Sequence, residues 1–192
     1  MMESVFLAFL ISKIKGYDIR KVFRTWQIYP VFLCILIYIG LQISVFLGNY
    51  NFIKYSRSFE TIYILSFIFL ILKFRLYYSA IIGSIFIFLG SLLNKIVISA
   101  NDGKMPVFPK LSYVTGYIKD SSFINSNDIH ALGNEATKFK LLSDIIDIGY
   151  SIMSVGDICI RVFGFIIIYN TIKYINDNDV NIFYDIKQKK GR

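Results

Sequence analysis

Cysteine, histidine and proline are nearly missing from this chain of 192 residues, which has two, one and three of them. Cys34 and Cys159 fall inside apolar runs and belong to no CxxC or His/Cys cluster, so they read as small buried hydrophobes rather than as disulfide, metal or nucleophile positions. The single histidine, His130, lies in a polar stretch with no second ligand spaced around it; a solvated histidine is expected there and no metal. No glycine-rich phosphate loop, HExxH, GxSxG or Ser/His/Asp set is found, and no cofactor is expected. Charge is also scarce, at 18% of residues against about 25% in a typical soluble domain.

What is abundant is grease. Hydrophobic residues make up 55% of the chain and the mean hydropathy is +0.56. A soluble domain of this size leaves too much of its surface wet to hide that much apolar area. The expected class is therefore all-α: a polytopic transmembrane helical bundle of about five spans, near residues 1–15, 26–48, 59–73, 76–100 and 154–175. A long extracytoplasmic loop, 101–153, and a basic cytoplasmic tail, 176–192, complete the layout. The first run is short, because fourteen helical residues reach only about 21 Å against a hydrocarbon core of roughly 30 Å. Its positive charges follow the apolar stretch, the reverse of a signal peptide, so a short uncleaved span is expected. If it lies on the surface as an interfacial helix, four spans remain.

The net charge of +8 would suggest nucleic acid in a soluble protein, but here it follows the positive-inside bias and no nucleic-acid partner is expected. Lys13, Lys15, Arg20, Lys21 and Arg24, then Lys73 and Arg75, then Lys173, Lys187, Lys189, Lys190 and Arg192 fall on one side of a five-span layout. The other side has Lys54 and Arg57, with Lys104, Lys110, Lys119, Lys138 and Lys140 diluted along the loop. The denser set marks the cytoplasmic face of a cell membrane, leaving the N-terminus and the 101–153 loop outside. The partners expected are the bilayer itself and a second membrane protein or another copy of the chain.

Within the loop, Asp102-Gly103 signals a turn, and Pro106 and Pro109 stop the preceding helix. Ser121–Asp128 reads as polar loop. Thr137–Ile148 reads as a short surface helix with Phe139, Leu142, Ile145 and Ile146 on one side.

Ionisable groups in or beside apolar spans are candidate functional sites because each is expensive to hold there. They are Glu60, Lys95, Asp157 and Arg161. For Asp157 the structural reading is a capping box, with Ser154 as N-cap and the carboxylate reaching back to it. The functional reading pairs Asp157 with Lys95, or with a second carboxylate from Asp144 or Asp147. Arg161 stands four residues after Asp157, suited to an ion pair on one helix face. Asn94 and Asn101 flank the exit of the fourth span, where they can bond across helices or order the loop.

Taken together, Asn94, the run Asn101-Asp102-Gly103-Lys104-Met105-Pro106-Val107, His130, Thr137, Leu142, Asp144-Ile145-Ile146, Ser154-Val155-Gly156-Asp157 and Gly164 resemble a family of small bacterial multi-span membrane proteins, domain of unknown function 5317. That resemblance implies about five spans over nearly the whole chain and carries no activity. Where the family usually has proline after Asp144-Ile145-Ile146, this chain has Asp147. A fainter similarity, in motif alone, is to lipoprotein signal peptidase, a four-span aspartic protease with two aspartates near the outer leaflet. It implies Asp157 and Asp144 as catalytic candidates, although that enzyme's own stretches around its aspartates are not reproduced. Three readings follow: a non-enzymatic accessory, scaffold or immunity-type factor; a membrane-embedded hydrolase using the aspartate pair; and a small transporter with Lys95, Asp157 and Arg161 along a polar path.

Overall fold

A computed structural model describes residues 2–49, 52, 55–118 and 129–190, with side chains described up to residue 178 except at 56 and 57. Ser121–Asp128, Lys54, Lys119 and Arg192 lie outside the described residues, as do the side chains of Arg57 and of the lysines at 187, 189 and 190.

The chain runs α1 (Met2–Ile14), α2 (Tyr29–Phe46), α3 (Ser56–Ser66), α4 (Ile68–Phe74) and α5 (Tyr77–Ala100). A lobe follows, made of β1 (Met105–Val107), α6 (Leu111–Val114), β2 (His130–Leu132), β3 (Ile146–Asp147) and β4 (Ile152–Met153). The chain closes with α7 (Val155–Lys190). Among the described residues, three helical stretches are long and apolar enough to cross a membrane: Trp26–Phe46, Tyr77–Ala100 and Val155–Asn178, with mean hydropathies of 2.2, 2.1 and 1.6.

Local chemistry sets the boundaries. Glu3 in the first turn of α1 and Lys13 in its last suit the helix dipole, and Gly16, at φ 81°, turns the chain away. Asp18 then caps a short 3₁₀ turn, Ile19–Arg24, by accepting from the Arg20 amide. Pro30 occupies the first turn of α2, where its missing N–H leaves no bond unmade.

The centre of the fold is the packing of α5 against α7, with α1 lying along α7 on another side. Small residues permit the first contact. A Cβ on Gly90 would sit 2.3 Å from the Gly156 carbonyl oxygen, and one on Gly83 would meet the Phe163 ring at 2.7 Å. Phe67, fully buried, stacks edge-on against both Tyr63 and Phe163, at 5.1 and 5.5 Å between ring centres. Leu70, Ile167, Ile168 and Ile172 fill the core around it. α1 and α7 run parallel: Glu3 meets Arg161 near one end, while Asp18 and Lys15 meet Asn176 and Tyr169 near the other.

Two expectations need correction, and two more elements gain detail. The fold is mostly helical but not all-α, because the lobe holds a parallel pair, β1–β2, and an antiparallel pair, β3–β4. The helix read at Thr137–Ile148 is absent. Phe139 sits in the left-handed region at φ 54°, only a 3₁₀ turn forms at Lys140–Leu142, and Asp144 exchanges backbone bonds with β1. The hydrophobic spacing there belongs to an edge that pairs with a strand, not to a helix face. The run 59–73 is two helices joined at Phe67, whose burial holds it in the joint. The tail from 176 continues α7 as helix to Lys190.

The α5–α7 contact is directly testable. Gly156→Ala would place a methyl 2.1 Å from Asn94 Oδ1 and 2.6 Å from the Gly90 carbonyl. It is expected to destabilise the detergent-solubilised protein by about 1–3 kcal/mol, read as a lowered midpoint of unfolding. Gly40→Ala, which meets nothing within 4 Å, should leave the midpoint unchanged or raise it. Equal behaviour of the two would contradict the close approach.

Candidate functional site

The polar residues of interest do not form one cluster. They separate into four sets at the end of the bundle where α5 stops and α7 begins.

The first set joins α5 to α7. Asn94 donates from Nδ2 to Asp157 Oδ1 at 2.8 Å, and the Ser154 hydroxyl donates to Asn94 Oδ1 at 2.8 Å. The Asp157 amide donates to Ser154 Oγ at 2.9 Å, and the Ser154 amide donates to Asp157 Oδ2 at 3.2 Å. The last two bonds are a reciprocal capping box at the start of α7. Asn94 closes the box into a ring in which both carboxylate oxygens accept. A carboxylate so engaged also faces the positive end of the helix dipole. Lys95, the next residue, is exposed and stays outside this ring.

Arg161 does not pair with Asp157. Its guanidinium donates to Glu3 Oε2 at 2.9 Å, while the Tyr150 hydroxyl donates to the other oxygen, Oε1, at 3.1 Å. This second set ties α1, α7 and the lobe together. Burial pushes the Tyr150 phenol up to about 12, helped by the Glu3 charge beside it.

Asn101 organises the third set. It follows α5 and donates from Nδ2 to the Val97 and Lys138 carbonyls at 2.8 and 3.0 Å, while the Lys138 amide donates to its Oδ1 at 2.9 Å. The side-chain amide thus replaces a peptide group in a two-bond pairing with Lys138. Asp102 and Gly103 both take positive φ, 52° and 78°, which turns the chain into β1. All three residues of β1 are buried, with Ile129–Gly133 on one side and Asp144 on the other.

Asp144 belongs to the fourth set. It is buried, and its Oδ2 lies 3.5 Å from Nε2 of His130, a residue of β2 rather than of open loop. The described contacts give Asp144 and Asp157 different neighbours: His130 for the former, Asn94 and Ser154 for the latter. Among the described residues no three histidine, cysteine or acidic side chains are grouped to hold a metal ion.

Asp147, the alternative second carboxylate, is held in the lobe by four hydrogen bonds. It accepts from the amides of Lys110, Ser112 and Gly149 at 2.7, 2.8 and 2.8 Å, and from the Ser112 hydroxyl at 2.6 Å. Burial alone would raise its pKa, but these donors win and hold it below the usual carboxylate range. Glu3, Tyr150 and the Gly90–Gly156 contact escaped the sequence reading altogether. A glutamate within the first apolar run was the one available signal.

The profile of a family of unknown function, DUF5317, matches residues 19–169. That is most of the chain. This protein belongs to the DUF5317 family. No curated protein and no solved structure shows detectable similarity to it. The DUF5317 match spans the Asn94–Ser154–Asp157 ring, the Asn101 clamp, β1 and the His130–Asp144 pair, whereas Glu3 lies before it.

Two outcomes are expected. Asn94→Ala leaves Asp157 Oδ1 and the Ser154 hydroxyl without their interhelical partner, and is expected to destabilise by about 1–3 kcal/mol. Asp157→Asn, which retains an acceptor, should lose about 1 kcal/mol. A double-mutant cycle in detergent should show coupling between the two positions, and strict additivity would refute the ring. For Asp147 the folded pKa is depressed, so its contribution is present above the unfolded value, near 4, and disappears as pH falls through the folded one. The protection factors of the Lys110 and Ser112 amides, taken relative to the intrinsic exchange rate at each pH, should therefore fall on acidification, and Asp147→Asn should lower them already at neutral pH.

Proposed function

We propose that this DUF5317 protein is an integral membrane protein with five crossing segments, serving as a non-enzymatic accessory, scaffold or immunity-type factor of the cell membrane. One observation carries the membrane part: many large apolar side chains stand exposed around the bundle. Phe6, Leu36, Ile81 and Phe88 are 62–69% exposed, and only 22% and 17% of the apolar windows in α2 and α5 are buried. Water would penalise such a surface at about 25 cal/mol per Å², whereas lipid tails solvate it.

The packing supports counting α1 as a span. It lies alongside α7 from the Glu3–Arg161 contact onward, its helical part Met2–Ile14 rising about 20 Å, and just past its end the Asp18 amide donates to Asn176 on α7. A helix in register with a crossing helix over that length crosses with it. α3 and α4 together supply the remaining passage between the end of α2 and the start of α5. With α1 crossing, the dense basic segments fall on the side away from the lobe, so we place the lobe outside and the C-terminus in the cytoplasm.

The accessory role is supported by the way polar groups are used. Asp157, Asn94 and Ser154 bond one another, and Arg161 is tied to Glu3. The hydrolase reading requires Asp157 to share a water with Asp144, and the transporter reading requires Arg161 to face a polar path; the bonds just described favour neither. Under the hydrolase reading, Asp144→Asn and Asp157→Asn would abolish function equally.

The topology has a single-cysteine test in a chain with Cys34 and Cys159 replaced by alanine. A membrane-impermeant maleimide is expected to label Lys104→Cys in intact cells, and Lys13→Cys and Lys187→Cys only after permeabilisation. Met2→Cys is expected to be labelled in intact cells; its protection there, with position 13 also protected, would remove α1 from the spans, and the reverse pattern at 104 and 187 would invert the orientation.

A further inference from the structure

The lobe is joined to the outer ends of the crossing helices at fixed points, and one of these puts a basic, apolar segment where the hydrocarbon ends. Asn101 follows the last residue of α5, and its amide holds the Lys138 backbone by two bonds. The depth of Lys138 is thereby set by the end of a helix whose own exposed side chains, Leu92 and Ile96, are apolar. The next residue, Phe139, sits at φ 54°, a conformation that costs a non-glycine residue about 1–3 kcal/mol. The 3₁₀ turn that follows leaves Phe139 54% and Leu141 78% exposed.

Burial does not repay that strain inside the protein, since both side chains point out of it. The sequence Lys138-Phe139-Lys140-Leu141 alternates cations with large apolar groups, which is the composition of segments that lie at the headgroup level. Lys138 is exposed, and Lys140 lies over the Phe108 ring with its Nζ 4.8 Å from the centre. Glu135 is the single carboxylate in the described stretch 129–143, so the segment keeps a positive balance. On the other side of the bundle the lobe meets the end of α2: the Tyr117 hydroxyl donates to Gln42 Oε1 at 2.6 Å, its ring packs on Phe46, and nearby Val114 is 82% exposed.

We propose that Lys138–Leu141 is an interfacial anchor, with Phe139 and Leu141 inserted into the outer leaflet and the two lysines over anionic lipid phosphates. This rests on the membrane reading above. Charge complementarity with phosphate, and continuity with the lipid-facing surface of α5, select lipid over a protein partner. The anchor seats the lobe on the membrane rather than leaving it free in water.

The test uses the full chain with Trp26→Phe, which removes its only tryptophan, reconstituted into phosphatidylcholine vesicles with and without phosphatidylglycerol. One tryptophan is then introduced by Leu141→Trp, and separately by Phe139→Trp or Phe88→Trp. Position 141 is expected to emit at shorter wavelength than a hydrated indole and to be quenched most by lipid brominated near the headgroup end of its chains. Position 139 should behave alike, and position 88 should be quenched most by bromine deep in the chains. Phosphatidylglycerol should strengthen shallow quenching at 141, and Lys138→Gln with Lys140→Gln should remove that increment. If 88 is quenched by bromolipid but 139 and 141 are not, the anchor is refuted and the membrane reading stands; iodide access would then indicate water, and shielding from both a protein contact. If 88 is also unquenched, the membrane reading itself fails.

Discussion

The backbones of α5 and α7 touch where Gly90 meets Gly156, and the rest of the molecule is arranged around that contact. Between helices in lipid there is little hydrophobic drive to associate, since the tails are as apolar as leucine, so close packing and hydrogen bonds must supply the attraction. Glycine permits the packing. The approach in turn brings Asn94 within reach of the first turn of α7, which makes the ring with Ser154 and Asp157 geometrically available. The two devices depend on each other: a side chain at Gly156 would occupy the space of the Asn94 amide.

The lobe inherits its shape from that contact because it begins at the end of α5 and returns at the start of α7. Holding these two ends together keeps the loop short in effect, which reduces the entropy lost in ordering it. Its fixed points are then spread over the bundle: Asn101 on α5, Ser154 at α7, Glu3 on α1 through Tyr150, and Gln42 on α2 through Tyr117. In its interior, β1 is the central strand, and Asp147 replaces missing backbone partners around the short helix α6. The Asp147 side chain accepts four hydrogen bonds there.

What could be read from the residues follows the range of the interaction. The apolar stretches at 26–48 and 76–100 were legible because hydropathy needs no partner, and the start of α7 because a capping box spans three residues. Arg161 was misjudged for the same reason: the nearest carboxylate in sequence is Asp157, but the nearest in space is Glu3, 158 residues away. Strands of two or three residues carry no periodicity, so β1–β4 left no trace, and the spacing of Phe139, Leu142 and Ile145 imitated a helix. His130 looked solvated because Asp144 approaches it only after β1 has drawn both segments to its sides.

The candidate residues therefore divide by how completely their polar atoms are used. Both oxygens of Asp157 accept hydrogen bonds in a ring that holds two helices, and both oxygens of Glu3 accept from groups on other elements. The part-buried charges of Asp157, Glu3 and Arg161 are thus engaged in assembly, because an ion pair or a closed ring is what makes their burial tolerable. The same ring and clamp hold in place the exposed apolar helix faces and the basic edge of the lobe beside α5.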